Sequence, residues 1–452
     1  MLCFAVLATR QLWLQVVVAQ RTAASSYNPR NALLSAYRGS IVARDGTVLA
    51  RSSEHGRTYP LGAELAQTLG YISPRYGTAG LEHTFDAELT APVPGNDVAA
   101  QVESLFGQTV TTRGATVITT IDPVVEQTLY DALVPYDRAA GIAIDPRNGE
   151  ILAVASVPSF DPQSLDANFS ALRDDPRSVL LNRAIDGLYP PGSTFKIFTA
   201  ASALEAGVVT PASLFTDPGW LNVGAFVVHD NEGEATGTQD LTGAFALSSN
   251  VDFAQIALQL GADRWFEAAA KWRLGEPLGL ELPAQTDRLP TSAEMTPSLL
   301  AQLGFGQADL LVTPLRMALV AATIAAGGVE PQPHLVRAIR EPWGAQRELG
   351  GGPPLAQPIS AQTADTVRSL MVAVVARGTG TAAALPGITV AGKTGTATNP
   401  AGRSHAWFVA FAPAEAPRVA VAVVVENAGY GGTYAAPIAR RVLRAALTRG
   451  AS

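Results

Sequence analysis

Lysine is nearly missing from this chain. Lys196, Lys271 and Lys393 are its three lysines in 452 residues, and every other basic residue is arginine. A guanidinium keeps its proton at any physiological pH, whereas an amine can lose it. A position that holds lysine in such a background therefore marks a place where proton loss could be required. Cysteine is rarer still. Cys3 stands alone, which excludes an intrachain disulfide. The five histidines are dispersed, with no zinc-type ligand spacing, so neither structural zinc nor another cofactor is expected. Positive charge is also short. A net charge of -7 argues against non-specific nucleic-acid binding, which needs basic surface to neutralise phosphates. Charged residues make up only 16% of the chain, which argues against long disordered tails.

What is present is apolar. Hydrophobic residues reach 47%, enough for a sizeable core, and the length fits two or three domains. Residues 1–20 read MLCFAVLATRQLWLQVVVAQ, close to the length that spans a bilayer. Arg10 in its middle would cost about 2.5–3.5 kcal/mol on insertion. A signal anchor, a cleaved signal peptide and a buried amphipathic helix all fit the segment, and its length favours the anchor. Cys3 follows no lipobox-like stretch.

The stretch RGSIVARDGTVLARS holds two short apolar runs around Asp45-Gly46, a hairpin signal. Residues 60–113 carry Gly and Pro breakers and no long periodic helix, so 30–113 is expected to be a small, irregular N-terminal domain. A second domain is expected over 114–447. It opens with TVITTIDPVVEQTLYDAL, a strand and then a helix with Asp122 as N-cap and Pro123 at its first position. AAGIAIDPRNGEILAVASVP reads as two strands around a turn. From about 193 to 376 the periodicity is mostly helical. Strand patterns then return in ITVAGKTGTAT, HAWFVAFAP and RVAVAVVVEN, before a closing amphipathic helix. Strands at both ends with helices between indicate an α+β domain, its hairpin and three late strands forming one antiparallel sheet of five.

Three short motifs carry chemistry. YPPGSTFKIF sets Ser193 at a helix start and Lys196 three residues on, on the same helical face. A serine hydroxyl is a weak nucleophile until a neighbour takes its proton, and a buried lysine amine can do so. Taken alone, Ser-x-x-Lys is common and Ser is an ordinary N-cap. ALSSNVDFAQIA, with Ser248 and Asn250, reads alone as a helix cap. VAGKTGTATN begins Lys393-Thr394-Gly395-Thr396 on an apolar strand, where Gly395 is costly unless something must approach the backbone closely. Together the motifs are far more specific. They occur in order on a helix, an interhelical loop and a strand, and they hold two of the three lysines. Lys271, in AAAKWRLG, reads as a surface helix residue.

This set resembles the penicillin-recognising serine transferases. RGSI, DGTVLA, GLE followed by FDAELT, TTIDPVVEQ, NRAIDGLYPPGSTFK and GFGQADLLVTPLRMA resemble class B penicillin-binding proteins, in particular the short actinobacterial type. The resemblance spans about residues 30–445. It implies a transpeptidase/serine β-lactamase-like fold, a five-stranded antiparallel sheet flanked by helices, and a D,D-transpeptidase that cross-links peptidoglycan stem peptides and is acylated by β-lactams. By the same resemblance Ser193 would be the nucleophile and Lys196 its base. Ser248 would relay protons, Asn250 would hold Lys196 and the substrate amide, and Lys393, Thr394, Gly395 and Thr396 would bind the substrate. The backbone N–H groups of Ser193 and Thr396 would form the oxyanion hole. The resemblance further implies a single-pass protein of the cytoplasmic membrane with an extracytoplasmic catalytic domain and a SEDS-type glycosyltransferase partner. A D,D-carboxypeptidase shares all three motifs and differs only in its acceptor. A serine β-lactamase or a non-catalytic wall scaffold fits less well, the first for want of a second base on an ExxLN-like loop. One residue departs from the family pattern: Ala308 in GFGQAD stands where a glycine is common, and a small effect is expected.

Overall fold

A computed structural model describes residues 38–90, 113–230, 233–399 and 402–449. The expected anchor, 1–20, lies outside the described residues. Among the described residues no helix is long and apolar enough to cross a membrane.

The chain forms two compact units. The first holds the N-terminal part up to Thr119, together with 160–172 and 336–349. Its six-stranded sheet runs in the order 346–348, 336–340, 116–119, 41–42, 48–53, 56–58. The expected hairpin is present, with Ile41 opposite Ala50, Val42 opposite Val48, and Gly46 at φ +86°. Two strands come from residues 336–348, far along the chain, which no local periodicity reveals. Charge is buried here in matched form: Glu82, with no side-chain exposure, accepts from Arg38 at 3.0 Å and Arg57 at 2.6 Å.

The second unit is built on five strands: β1 (Ala139–Ile144), β2 (Ile151–Val157), β3 (Ala391–Ala397), β4 (His405–Ala412) and β5 (Val419–Val425). They lie in the order β3-β4-β5-β1-β2, and every neighbouring pair is antiparallel. Antiparallel sheets often face water on one side and then alternate in polarity. These strands do not, because helices cover both faces. Helix α1 (Pro123–Leu133) is capped by Asp122, whose carboxylate accepts from Val124 and Val125 N–H. It packs on one face with the long C-terminal helix, bringing Val125, Leu129, Val442 and Leu443 against Phe408, Val421 and Val423. The helix Pro314–Ala325, buried along almost its whole length, covers β5, β1 and β4 from the other side. The remaining helices lie between β2 and β3 in sequence, as the periodicity predicts. They leave β3 as an edge strand, open to whatever the helical layer brings against it.

Candidate active site

Ser193 lies in a single 3₁₀ turn, Gly192–Phe195, that runs into helix α2 (Lys196–Glu205). In a 3₁₀ turn residues i and i+3 eclipse, so Ser193 and Lys196 share one side. The turn is pinned from three directions. Gly192 N–H donates to Gly306 O at 2.9 Å, the Thr194 hydroxyl donates to Pro191 O at 2.7 Å, and the Trp407 indole donates to Pro190 O at 3.1 Å. The GFGQ segment presses directly on it: a Cβ at Gly306 would fall 2.1 Å from Gly192 O.

The other side of the turn meets β3. A Cβ on Gly395 would lie 2.9 Å from Thr194 Cγ2, 2.9 Å from Trp407 Cβ and 3.0 Å from Pro191 O. The glycine in the strand is thus explained by close approach, since only a residue without Cβ admits the turn. Thr396 O sits beside Gly192 at the same contact. Ser193 keeps 8% exposure, while Lys196 and Lys393 have none.

Helix α3 (Leu241–Leu247) ends at Ser248, which adopts a left-handed conformation, φ 65° and ψ 35°. Helix α4 (Asn250–Leu260) starts two residues later, and there the cap expected of this motif is made by Ser249, whose hydroxyl accepts from Asp252 N–H at 3.0 Å. Non-glycine residues rarely adopt positive φ, and such strain gathers at functional sites. Here it points both oxygens of Ser248 at Lys196. Lys196 Nζ lies 2.5 Å from Ser248 O, 3.2 Å from Ser248 Oγ and 2.9 Å from Asn250 Oδ1. Lys393 Nζ donates to the same Ser248 Oγ at 2.8 Å and to Thr394 O at 3.2 Å. The Thr394 hydroxyl meets that of Thr379 at 2.5 Å.

Both amines also lie over aromatic rings, Lys196 at 5.4 Å from Phe253 and Lys393 at 5.6 Å from Phe245. Burial favours the neutral amine. It lowers Lys196 to about 7, against the opposing pull of Asp230, Asp252 and Asp217. Lys393 is pushed well below its ordinary value by burial and then by Lys196. The third lysine, Lys271, is exposed and pairs with Glu267 at 2.9 Å on a surface helix.

The structure therefore gathers Lys196, Ser248, Asn250 and Lys393 into one hydrogen-bonded set. It packs the Ser193 turn against the strand that carries Thr394, Gly395 and Thr396. Sequence reasoning missed Thr379 and three aspartates behind the Ser-x-Asn turn. Asp252 sits two residues after Asn250 and was within reach of that motif. Asp217 ends one short strand, Leu214–Asp217, and Asp230 directly follows another, Phe226–His229, with no distinguishing pattern.

An edge strand carrying Lys-Thr-Gly against a Ser-x-x-Lys turn, with Ser-x-Asn closing the third side, defines a serine acyl-transfer enzyme of the penicillin-recognising class. The comparisons with known proteins narrow this. Residues 139–444 match the penicillin binding protein transpeptidase domain, and residues 38–117 match the penicillin binding protein A dimerisation domain. The chain belongs to the penicillin-binding protein transpeptidase family. It is 38% identical to the peptidoglycan D,D-transpeptidase PbpA of Mycolicibacterium smegmatis, over 94% of this chain and 92% of that one. The PbpA of Mycobacterium tuberculosis is 37% identical, over 93% of this chain and 92% of its own length. The solved ceftriaxone acyl-enzyme of penicillin-binding protein A from M. tuberculosis superposes with a TM-score of 0.85 at 34% identity. That match covers 92% of this chain and 100% of the other. The penicillin G acyl-enzyme of the same protein gives 0.83.

Proposed function

We propose that this protein is a serine-type peptidoglycan D,D-transpeptidase in which Ser193 forms the acyl-enzyme. The observation that carries the reading is the convergence of Lys196 and Lys393 on Ser248 Oγ beside the Ser193 turn. Neutral Lys196 takes the Ser193 proton as Oγ attacks the carbonyl between the two terminal D-alanines of a stem peptide. The N–H of Ser193, at the start of a helical turn, is one donor for the developing oxyanion. The N–H of Thr396 is the other, since a strand residue's N–H and C=O face the same edge and Thr396 O faces Gly192.

Collapse of the tetrahedral adduct expels D-alanine. Its nitrogen receives a proton through Ser248, whose hydroxyl touches both lysines. A neutral amine has two N–H groups and one lone pair, so while the lone pair takes the Ser193 proton only two of the three acceptors around Lys196 can be served, Ser248 O and Asn250 Oδ1 being the shorter contacts. Ser248 Oγ then accepts from Lys393 and keeps its own proton to pass on. Asn250 holds Lys196 in line. Lys393, Thr394 and Thr396 receive the substrate carboxylate, an anion that would return Lys393 to its charged form. An amine of a second stem peptide then attacks the ester and restores Ser193. β-Lactams enter by the same route and remain as slowly hydrolysed esters.

By family resemblance and the apolar run at 1–20, the reading extends to a single-pass anchor in the cytoplasmic membrane, a catalytic domain outside it, and a glycan-polymerising SEDS-type partner. The test is covalent labelling with a fluorescent penicillin, expected for the native protein and lost in Ser193→Ala. Labelling that persists in that variant would overturn the assignment. A stem-peptide donor supplied with an acceptor amine should give a cross-linked product. Release of D-alanine without it would make the enzyme a carboxypeptidase.

A further inference from the structure

Behind the Ser-x-Asn turn lies a connected group of carboxyls that the mechanism above does not use. Asp217 is fully buried and accepts from Gly219 N–H at 2.7 Å, Thr236 Oγ1 at 2.6 Å and Ser249 Oγ at 3.0 Å. Asp230 Oδ1 accepts from the backbone N–H of Asn250 and from that of Val251 at 3.3 Å. Its second oxygen, Oδ2, is buried without a partner among the described residues, although the side chain faces Asp217. Asp252, also fully buried, accepts from Gln239 Nε2 at 2.6 Å, and the same amide donates to Thr236 Oγ1 at 2.7 Å.

Two buried oxygens of the group lack a partner among the described residues, Asp230 Oδ2 and Asp252 Oδ1, and Asp230 is the carboxyl held against Asp217, its backbone N–H donating to Gly219 O at 3.4 Å while Asp217 accepts from Gly219 N–H. Two carboxylates set against each other, one fully buried and the other with a buried oxygen, cannot both ionise cheaply, and a shared proton removes both problems. We infer that Asp230 and Asp217 share a single proton, and that this pair is a positioning element for the Ser249–Asn250 turn that also limits the negative charge facing Lys196. The inference rests on Lys196 as the base.

The surrounding charges fit. Burial and then Asp217 push Asp230 up to about 7. Burial would also raise Asp217, but hydrogen bonds from Asp230, Thr236, Gly219 and Ser249 outweigh it and hold Asp217 low. Asp252 is raised by burial. The groups facing the pair are Asp252 on α4, Lys196 on α2 and, beyond Lys196, Lys393 on β3. While the proton is held, one anion of the pair faces Lys196, and its amine is free to be neutral. When the proton leaves, a second anion appears, which pulls a proton back onto Lys196 and repels Asp217 under the Asn250 turn.

The test compares Asp230→Asn with Asp230→Ala. The carboxamide keeps an acceptor for Asn250 and Val251 N–H, and its amide nitrogen donates permanently to Asp217. Asp230→Asn should still be acylated by penicillin, with the pH midpoint of acylation displaced downward by about half a unit or more. Asp230→Ala should lose about tenfold or more in acylation rate. An Asp230→Asn variant whose pH midpoint matches the native enzyme, or that fails as badly as Asp230→Ala, would overturn the proposal. A second readout is independent of activity. The infrared difference between the native protein and Asp230→Asn should show the carbonyl band of a protonated acid below pH 7 that fades above it. Its absence would refute the shared proton even in an enzyme whose Ser193 labels normally, and its presence would stand even if Ser193 were not the nucleophile.

Discussion

Lys196 and Lys393 meet at one oxygen: Ser248 Oγ lies 3.2 Å from the first amine and 2.8 Å from the second. Two ammonium groups about 5 Å apart repel by roughly 3 kcal/mol at an effective dielectric near 20. Protonation of one therefore opposes protonation of the other. A substrate carboxylate that charges Lys393 would drive Lys196 toward its neutral, basic form.

The first prediction concerns pH. Lys196 must be neutral to accept a proton, and its folded value is lowered to about 7. The neutral fraction rises with pH through that value, so the second-order rate of penicillin acylation should climb roughly tenfold per pH unit below about 7 and level off above it. Stopped-flow acylation across this range checks it. A flat profile would remove Lys196 from the role of base.

Replacing the proposed base by a permanent cation is the second prediction. Lys196→Arg keeps charge and hydrogen-bonding capacity but cannot release its proton. Acylation should fall by about 10²–10⁴-fold, the usual contribution of a positioned base. The position has no exposure, so the bulkier guanidinium also strains its pocket. Circular dichroism and thermal melting separate a folded, inert variant from a collapsed one. Lys196→Ala, smaller than the native residue, should be equally unreactive.

Much of this site can be read from the sequence because its chemistry depends on residue types at short spacing. Ser193 and Lys196 belong to one turn, and Lys393 through Thr396 to one strand, so their relation is local. The five-stranded sheet is likewise announced by apolar runs at both ends of its domain. Asp217 and Asp230 are not readable this way. They are brought under Asn250 by pairing of short strands whose composition is ordinary. The split of the first unit is equally hidden, because the strand at 336–340 joins 116–119 across more than two hundred residues. Ser248 shows a different limit. Its strained backbone is imposed by the turn between two helices and leaves no trace in composition.

Gly395 supplies the third prediction. Its Cα faces Thr194, Pro191 and Trp407 with no room for a methyl group. Gly395→Ala should destabilise the fold by about 1–3 kcal/mol, the usual cost of overpacking. The strain falls on the turn that carries Ser193. Acylation should therefore drop by about tenfold or more even at temperatures where the variant is fully folded. A variant that melts earlier yet acylates at the native rate would show that β3 bears the distortion and the turn does not.

Ala308 allows the opposite experiment. Its backbone sits at φ 65° in the left-handed region, which glycine adopts without a steric cost. A side chain there costs about 1–2 kcal/mol, because Cβ crowds the following carbonyl. Glycine removes that cost but loses more conformational freedom on folding, which offsets part of the gain. Ala308→Gly should thus stabilise the protein by about 0.5–1 kcal/mol, raising its melting temperature by about 1–3 °C. Ala308 lies two residues past Gly306, whose carbonyl accepts the Gly192 N–H at 2.9 Å. Relief of strain there reaches the Ser193 turn through a single hydrogen bond. The acylation rate should change by less than about twofold, since that bond is already formed at full strength. A lower melting temperature in the glycine variant would mean that the alanine methyl packs favourably enough to outweigh its backbone strain.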